Sequence, residues 1–263
     1  AWEGTARGII RGDFGISLQF RGQTVMDIIG TTLPISAQLG LLSVLFAVLF
    51  GIPLGIIAAL RQNTWIDYSA TFLAVFFLSV SNIVLAPILI WIFALALGWV
   101  PVAGWGAKPP FMLGFLPNPN DWNITFFEHA ALPVFALATG SAAIVARLTR
   151  GTLLQVIRED YIRTARAKGL HERSVVVVNA LKNSLIPVVT VVGPIFAALV
   201  TGTFVIESFF GINGLGKHFV QSVTNRDYTL LLGVTLLYSV FLLVANLMVD
   251  ISYAWLDPRV RFD

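Results

Sequence analysis

Leu33-Pro34-Ile35-Ser36-Ala37-Gln38-Leu39-Gly40 opens a run, LPISAQLGLLSVLFAVLFGIPLGIIAAL, that reaches Leu60 before Arg61 supplies a charge. A helix crosses the hydrocarbon core of a bilayer in roughly 20 residues, so Leu33–Leu60 is long enough to span. Four more candidates follow: Tyr68–Leu97, Ala130–Ala146, Leu185–Ile206 and Leu230–Trp255. Thr139, Gly140 and Ser141 interrupt the third. Small residues there suit close approach of helices better than contact with lipid. Pro34, Pro53, Pro87, Pro133, Pro187 and Pro194 lie in or near these segments. Spanning helices tolerate proline because neighbouring helices and local adjustments satisfy the freed carbonyls.

Composition agrees. Apolar residues make up 57% of the 263, charged residues 12%, and the mean hydropathy is +0.82. Soluble domains carry about 25% charged residues, so this chain has too little polar surface to coat a water-soluble globule. A pI near 9.4 raises nucleic acid as a partner, but the net charge is only +3, and the basic residues sort by membrane side. With no cysteine, disulfides, thiolate metal sites and thiol catalysis are excluded.

Alternating five spans puts Arg61–Asp67, Arg147–Ser184 and Asp257–Asp263 on one side, with 11 of the 17 Lys and Arg residues; the other side holds 6. Positive charge favours the cytoplasmic side, so the C-terminal tail, 257–263, is expected in the cytoplasm. Trp65, Trp99, Trp105 and Trp255 fall at span ends, where amphipathic rings are stable. Five spans with an internal tail place Ala1 outside. A sixth, N-terminal helix is therefore expected upstream, with residues 1–32 an external segment holding at most a short surface helix. Residues 33–256 then form the transmembrane domain.

The cytoplasmic loop 147–184 is too long for a mere connector. Within it Tyr161-Ile162-Arg163-Thr164-Ala165-Arg166-Ala167-Lys168-Gly169-Leu170 reads as a short helix stopped at Gly169 by a left-handed cap. Tyr161 and Ala165, four apart, share a face with Ile162 alongside, ringed by Arg163, Arg166 and Lys168. Such a helix suits a groove on a partner. A basic loop that enforces topology or touches anionic lipid fits the charge equally well. Val175–Val178 lower the helical propensity beyond the glycine.

Catalytic patterns are thin. Gly211-Ile212-Asn213-Gly214-Leu215-Gly216-Lys217 has the spacing of a phosphate-binding loop, but His218 stands where Ser or Thr is needed for magnesium. The topology also places this stretch outside. Gly211, Gly214 and Gly216 read instead as a glycine-rich external gate loop at the mouth of a pathway. His129, His171 and His218 are scattered, so no metal cluster is expected. Asn82 and Glu207 are candidates for lining a path, because polar groups in membranes mark pathways; interhelical packing is the alternative, favoured for Ser79 and Ser81. Asp250 suits a structural salt bridge.

Several motifs occur in order. Tyr161–Leu170 is followed by Ala180-Leu181-Lys182-Asn183-Ser184-Leu185-Ile186-Pro187; then come Gly211–Gly216, Asn225-Arg226-Asp227-Tyr228, and Asn246 with Val249-Asp250 before the closing Leu256–Phe262. Nearer the start stand Gly12-Asp13-Phe14-Gly15 with Ser17, and Ala58–Thr64 with Asp67-Tyr68. In these the chain resembles the inner-membrane permeases of binding-protein-dependent ABC importers, in the dipeptide/oligopeptide/nickel branch, and most of all the first permease subunit of oligopeptide importers. Distant permeases open the loop motif with Glu-Ala-Ala, where this chain has Arg163, Thr164 and Ala165.

The resemblance implies an all-α, six-helix bundle of the type I importer fold in a bacterial or archaeal inner membrane. It implies a second homologous permease, two cytoplasmic ATPases, an external binding protein and a peptide substrate. Tyr161–Leu170 would be the helix that couples to an ATPase. No cofactor is expected in this chain, since ATP and magnesium belong to the partners, and no catalysis. Dipeptides, nickel complexes and oligosaccharides are alternative cargoes within the class. A stand-alone secondary transporter would be expected to show an internal repeat and mid-span ionisable residues, and a membrane enzyme a recognisable catalytic set; neither pattern is found.

Overall fold

Thr24 begins the first helix. Its Oγ1 accepts a hydrogen bond from the Asp27 N–H at 3.1 Å, while Asp27 Oδ2 accepts one from the Thr24 N–H at 3.1 Å. This reciprocal cap satisfies donors that a first turn leaves open. The helix, α1 (Val25–Leu60), therefore starts at Val25, ahead of the apolar run at Leu33. The computed structural model describes residues 13–20, 22–107, 111, 123–201 and 203–256. Residues 1–12 of the expected external segment, the tail 257–263 and the side chain of Asp250 lie outside the described residues.

The regular structure described is helical: α2 (Trp65–Ser79), α3 (Asn82–Leu89) continuing as π-helix over Ile90–Ala96, α4 (Ile124–Ile157) and α5 (Asp160–Ala167). Next comes a segment from Glu172 to Ser184, π-helical over Val175–Leu181, then α6 (Ile186–Thr201), α7 (Phe204–Phe209), α8 (Leu215–Thr224) and α9 (Tyr228–Leu256). Among the described residues the β-structure amounts to one isolated bridge, Ile16 with Thr24.

Besides the earlier start of α1, which takes residues 25–32 from the expected external segment, three expected spans differ from their sequence reading, and Leu185–Ile206 divides between α6 and α7. Tyr68–Leu97 is broken between α2 and α3, where Val80 is extended at φ −83° and ψ 118°. Ser79 Oγ donates back to the Val75 carbonyl at 2.8 Å, a bond that weakens a helix locally. Pro87 sits inside α3 just before the π-helical stretch; it removes a ladder donor and crowds the preceding turn. The span read as Ala130–Ala146 is the middle of α4, which runs on past Arg147 to Ile157. Its last turns are amphipathic, with Leu153 buried and Gly151 and Gln155 exposed, so burial extends the helix beyond the apolar run.

Helices α1, α4 and the Tyr228–Met248 part of α9 are each long and apolar enough to cross a membrane, and two bent pairs, Trp65–Ser79 with Asn82–Ala96 at 103° and Val175–Ser184 with Ile186–Leu199 at 47°, bring the total to as many as five. Rising ~1.5 Å per residue, α1 is roughly 54 Å long, well beyond the ~30 Å hydrocarbon thickness. Leu232, Leu236, Val240, Leu243, Leu247 and Ile251 of α9 are all exposed, an apolar surface suited to lipid or a partner helix and not to water.

The chain falls into two compact units: residues 1–42, 82–136 and 198–244 in the first, 43–81, 137–197 and 245–263 in the second. The first has a core of Val25, Ile28, Ile29, Leu215, Leu230 and Val234. In the second, Gly51 and Gly55 bring α1 against α4. A Cβ on Gly51 would stand 2.8 Å from the Ala142 carbonyl oxygen, and one on Gly55 2.5 Å from that of Ala146. Only glycine permits this approach, the packing that small residues four apart make possible. At Gly140, expected to mediate such contact, a Cβ would meet Phe77 O at an ordinary 4.0 Å.

Candidate functional site

In the second unit, α5 is a helix of 8 residues with well-defined ends. At its C-terminus Gly169 has φ +77°. The Gly169 N–H donates to the Arg166 carbonyl at 2.9 Å and the Leu170 N–H to the Ala165 carbonyl at 3.4 Å. These two bonds are the Schellman closure that a left-handed glycine permits. Ile162 is 0% exposed and packs with Ala59 of α1, Leu153 of α4, and Val175 and Ala180 of the following segment, with Ala165 alongside. Ile162 and Ala165, three apart, thus form the inward face.

The orientation read from the sequence needs correcting here. Tyr161 and Ala165 do not present one outward face, because the larger apolar residue, Ile162, takes the core and turns Ala165 with it. Tyr161, Arg163, Thr164, Arg166, Ala167, Lys168, Gly169 and Leu170 are exposed. Tyr161 Oη accepts from Asn183 Nδ2 at 2.9 Å, tying the helix start to the approach to α6. Arg166 grips Glu172 through Nε at 3.2 Å and Nη2 at 2.7 Å. That guanidinium holds the Glu172 carboxyl below the usual range. Val175 and Val176 are buried while Val177 and Val178 are exposed, so the four valines divide between core and surface.

The glycine-rich turn lies in the first unit. Glu207 of α7 is 0% exposed. Ser36 Oγ and Thr203 Oγ1 donate to its Oε1 at 2.5 and 2.6 Å, and the Lys217 N–H donates to Oε2 at 2.9 Å. The Gly216 N–H is a further donor to the carboxylate. Ser36 Oγ in turn accepts from the Leu215 N–H at 2.8 Å. The first three N–H groups of α8 are therefore satisfied by side chains of α1 and α7, which does the work of a cap at Gly214, a residue without one. Burial pushes the Glu207 carboxyl up, against the hydrogen bonds from Ser36, Thr203, Lys217 and Gly216 that favour its charge.

This arrangement bears on the phosphate-loop spacing, since the Ile212, Leu215, Gly216 and Lys217 N–H groups are already occupied by protein acceptors. Lys217 Nζ donates to Asn213 Oδ1 at 2.9 Å. Of the other candidates, Asn82 is the first residue of α3, and α3 packs against α7, which carries Glu207. Among the described residues no group of three or more His, Asp or Glu side chains is placed to hold a metal ion.

Two relationships were not read from the sequence. Ser17 Oγ donates to Asp227 Oδ2 at 2.5 Å and the Gln19 N–H donates to the same oxygen at 3.2 Å, while Asp227 Oδ1 accepts from the Leu230 N–H at 3.1 Å. Asp227 thus caps α9 and fastens residues 17–19. Burial opposes its charge, but the bonds from Ser17 and the Leu230, Gln19 and Leu18 N–H groups outweigh that and hold the carboxyl below the ordinary value. In the second unit Asp67, 2% exposed, is paired with Arg150. Each involves motif residues quoted above, whose spacing carries no sign of the pairing.

Residues 51–262 match the family described as binding-protein-dependent transport system inner membrane component. The chain is 42% identical over 255 residues to the dipeptide transport system permease protein DppB of Bacillus subtilis strain 168, covering 97% of this chain and 77% of that protein. It is 38% identical to the oligopeptide transport system permease protein OppB of Salmonella typhimurium, covering 97% and 78%. Among solved structures, the inward-facing MetNI methionine ABC transporter superposes with a TM-score of 0.67 at 18% identity, over 86% of this chain and 94% of that one. An amino acid ABC transporter with histidines gives 0.61 at 18%, over 83% and 89%. At that identity these two establish the fold alone, the all-α type I importer permease fold. The chain belongs to the family of binding-protein-dependent transport system inner membrane components.

Proposed function

We propose that this chain is a permease subunit of an ATP-driven importer, forming with a second, homologous permease the path by which oligopeptides enter the cell. The observation that carries the reading is similarity to oligopeptide and dipeptide permeases along 97% of the chain. An external binding protein delivers the peptide, and two cytoplasmic ATPases supply the energy; ATP and magnesium are theirs, and this chain has neither catalytic role nor cofactor. The C-terminus lies in the cytoplasm, on the side that collects 11 of 17 basic residues.

The Tyr161–Leu170 segment is the coupling element. Force on its exposed side is passed through Ile162 to Ala59 of α1 and Leu153 of α4, while the Schellman closure at Gly169 keeps the helix a defined length. Alternating access requires substrate affinity to differ between two states, and a stiff element seated on the ends of long helices transmits the difference. The glycines at 211, 214 and 216 belong to the external mouth.

The test is uptake by the complete transporter in proteoliposomes. Labelled pentapeptide should accumulate only with ATP, and unlabelled peptides should compete while free nickel should not. Transport of nickel without peptide competition overturns the cargo but not the class. Exclusive uptake of dipeptides would favour the second reading, which the 42% identity to a dipeptide permease supports.

A further inference from the structure

The turn Gly211–Gly216 has the composition of a flexible flap, but its surroundings are those of a core. Phe210, Ile212 and Leu215 are 2%, 0% and 0% exposed. A Cβ on Gly214 would stand 2.4 Å from the Glu207 carboxyl carbon, and one on Gly216 2.5 Å from Phe204 Cα. These glycines therefore serve close contact. The Ile212 N–H donates to the Glu207 carbonyl at 2.9 Å, so the turn folds directly back onto α7.

A second strand of contacts holds the same turn from the other side. In the 101–107 strap the Gly104 N–H donates to the Phe210 carbonyl at 2.9 Å, and a Cβ on Gly211 would lie 3.2 Å from Ala103 Cβ. The strap is itself pinned to α1, where Trp105 Nε1 donates to Gln38 Oε1 at 2.7 Å and both residues are buried. Lifting the turn as a flap would break the bond from the Ile212 N–H, put Ile212 and Leu215 into water, and take from the Glu207 carboxylate its Gly216 and Lys217 N–H donors, leaving it only Ser36 and Thr203. Each unpaired buried group carries a desolvation penalty.

We propose that Gly211–Gly216 is a fixed platform, moulded onto Glu207 and clamped by the 101–107 strap, which moves through the transport cycle only as one body with α7 and α8. Glu207 is then a positioning residue for the external mouth and not a wall of the path. The inference rests on the transport reading above for the cycle, and on the first unit's own contacts for the platform.

A crosslink tests it. In this cysteine-free chain, Ala103→Cys with Gly211→Cys places two Cβ atoms close to disulfide range. The complete transporter carrying the pair should take up peptide equally well oxidised and reduced. Loss of uptake on oxidation, restored by reductant, would show a hinged gate and overturn the proposal. If the reduced pair does not transport, Asn213→Cys decides instead. Its labelling by an impermeant maleimide should change between the nucleotide-free and ATP-trapped transporter only in step with that of Thr224→Cys, exposed on α8, and a divergence of about tenfold, equivalent to ~1.4 kcal/mol, overturns the platform.

Glu207→Gln turns one acceptor into a donor among four donors and should raise Asn213→Cys labelling about tenfold, the loss of one hydrogen bond to a charged group. It should also lower uptake, and the oxidised 103–211 crosslink should restore it; a general folding defect would not be restored. Unchanged labelling in Glu207→Gln removes Glu207 from the role. Should the unmodified transporter show no ATP-driven uptake, the transport reading fails, while the effect of Glu207→Gln on labelling still reports on the platform.

Discussion

Arg150 holds Asp67 in a two-pronged pair, Nε to Oδ1 at 2.6 Å and Nη2 to Oδ2 at 2.8 Å, with the aspartate 2% and the arginine 29% exposed. Asn63, in the left-handed conformation at φ +61°, adds its N–H to Oδ2 at 3.1 Å. The pair joins the start of α2 to α4. Arg150→Met should lower the thermal midpoint of the purified chain by several degrees, because it leaves a buried carboxylate unpaired. Breaking such a pair costs about 3–5 kcal/mol, with the lower end expected where water reaches one partner. Asp67→Leu combined with Arg150→Met should recover most of the loss. A single variant that melts with the wild type would make the pair ornamental.

Close packing at Gly55 gives a second expectation. Gly55→Leu pushes a side chain into the Ala146 carbonyl and Thr149, and backbone cannot yield as a rotamer can, so monodisperse protein in detergent should be lost. Gly151→Leu, where nothing lies within 4 Å, should purify normally. Equal yields from the two would mean that α1 and α4 do not meet at Gly55.

The contrast shows what the sequence could and could not disclose. Apolar runs located the helices because length and charge exclusion are local properties. The Thr24–Asp27 cap and the Gly51–Gly55 spacing are also legible, but hydropathy registers neither a polar cap nor the spacing of small residues. The break at Val80 was hidden, since Ser79, Val80 and Ser81 are unremarkable in a span until the serine turns back on its own helix. Gly169 was legible as a helix stop because a glycine after an amphipathic turn has few other uses. The facing of α5 was not, since it depends on which of Tyr161 and Ile162 a distant core accepts. Glu207, Ser36 and Lys217 meet only through the fold.

Asp227 should govern the 13–20 region. Asp227→Ala removes the acceptor for Ser17 and the Gln19 and Leu230 N–H groups, each bond to a charged group contributing about 1.5–3 kcal/mol. Limited proteolysis should cut faster near residues 17–19, and Ser17→Ala should have a smaller effect. Because the folded carboxyl is held below the ordinary 3.8, the contribution is present above that pH and fades as acid titrates the folded group. Protection from protease should therefore be level at neutral pH and decline only below about 3.8. Protection that declines nearer neutrality would assign it to another group.

The proposed orientation is open to a direct check. Ala167 and Asn123 are both exposed and fall on opposite sides of the proposed topology. An impermeant thiol reagent applied to intact cells should label Asn123→Cys and spare Ala167→Cys. The reverse pattern overturns the sidedness, and with it the assignment of α5 to the ATPase side.

The facing of α5 decides which substitution can test coupling. Ala165→Glu would set a carboxylate against Ile162 and its core, so any loss would confound docking with folding. Thr164 is exposed, between Arg163 and Lys168, and Thr164→Glu leaves the Ile162 core untouched while placing opposite charge on the outward side. If that side seats in a partner groove, the desolvated charge should weaken the contact by several-fold or more. ATPase co-purification should fall, or ATP hydrolysis should continue without uptake. Gly169→Val should act in the same direction by opposing φ +77° and opening the Schellman closure. Membrane levels of both variants should match wild type. Normal uptake and full ATPase binding in Thr164→Glu would show that this surface is not where the ATPase docks.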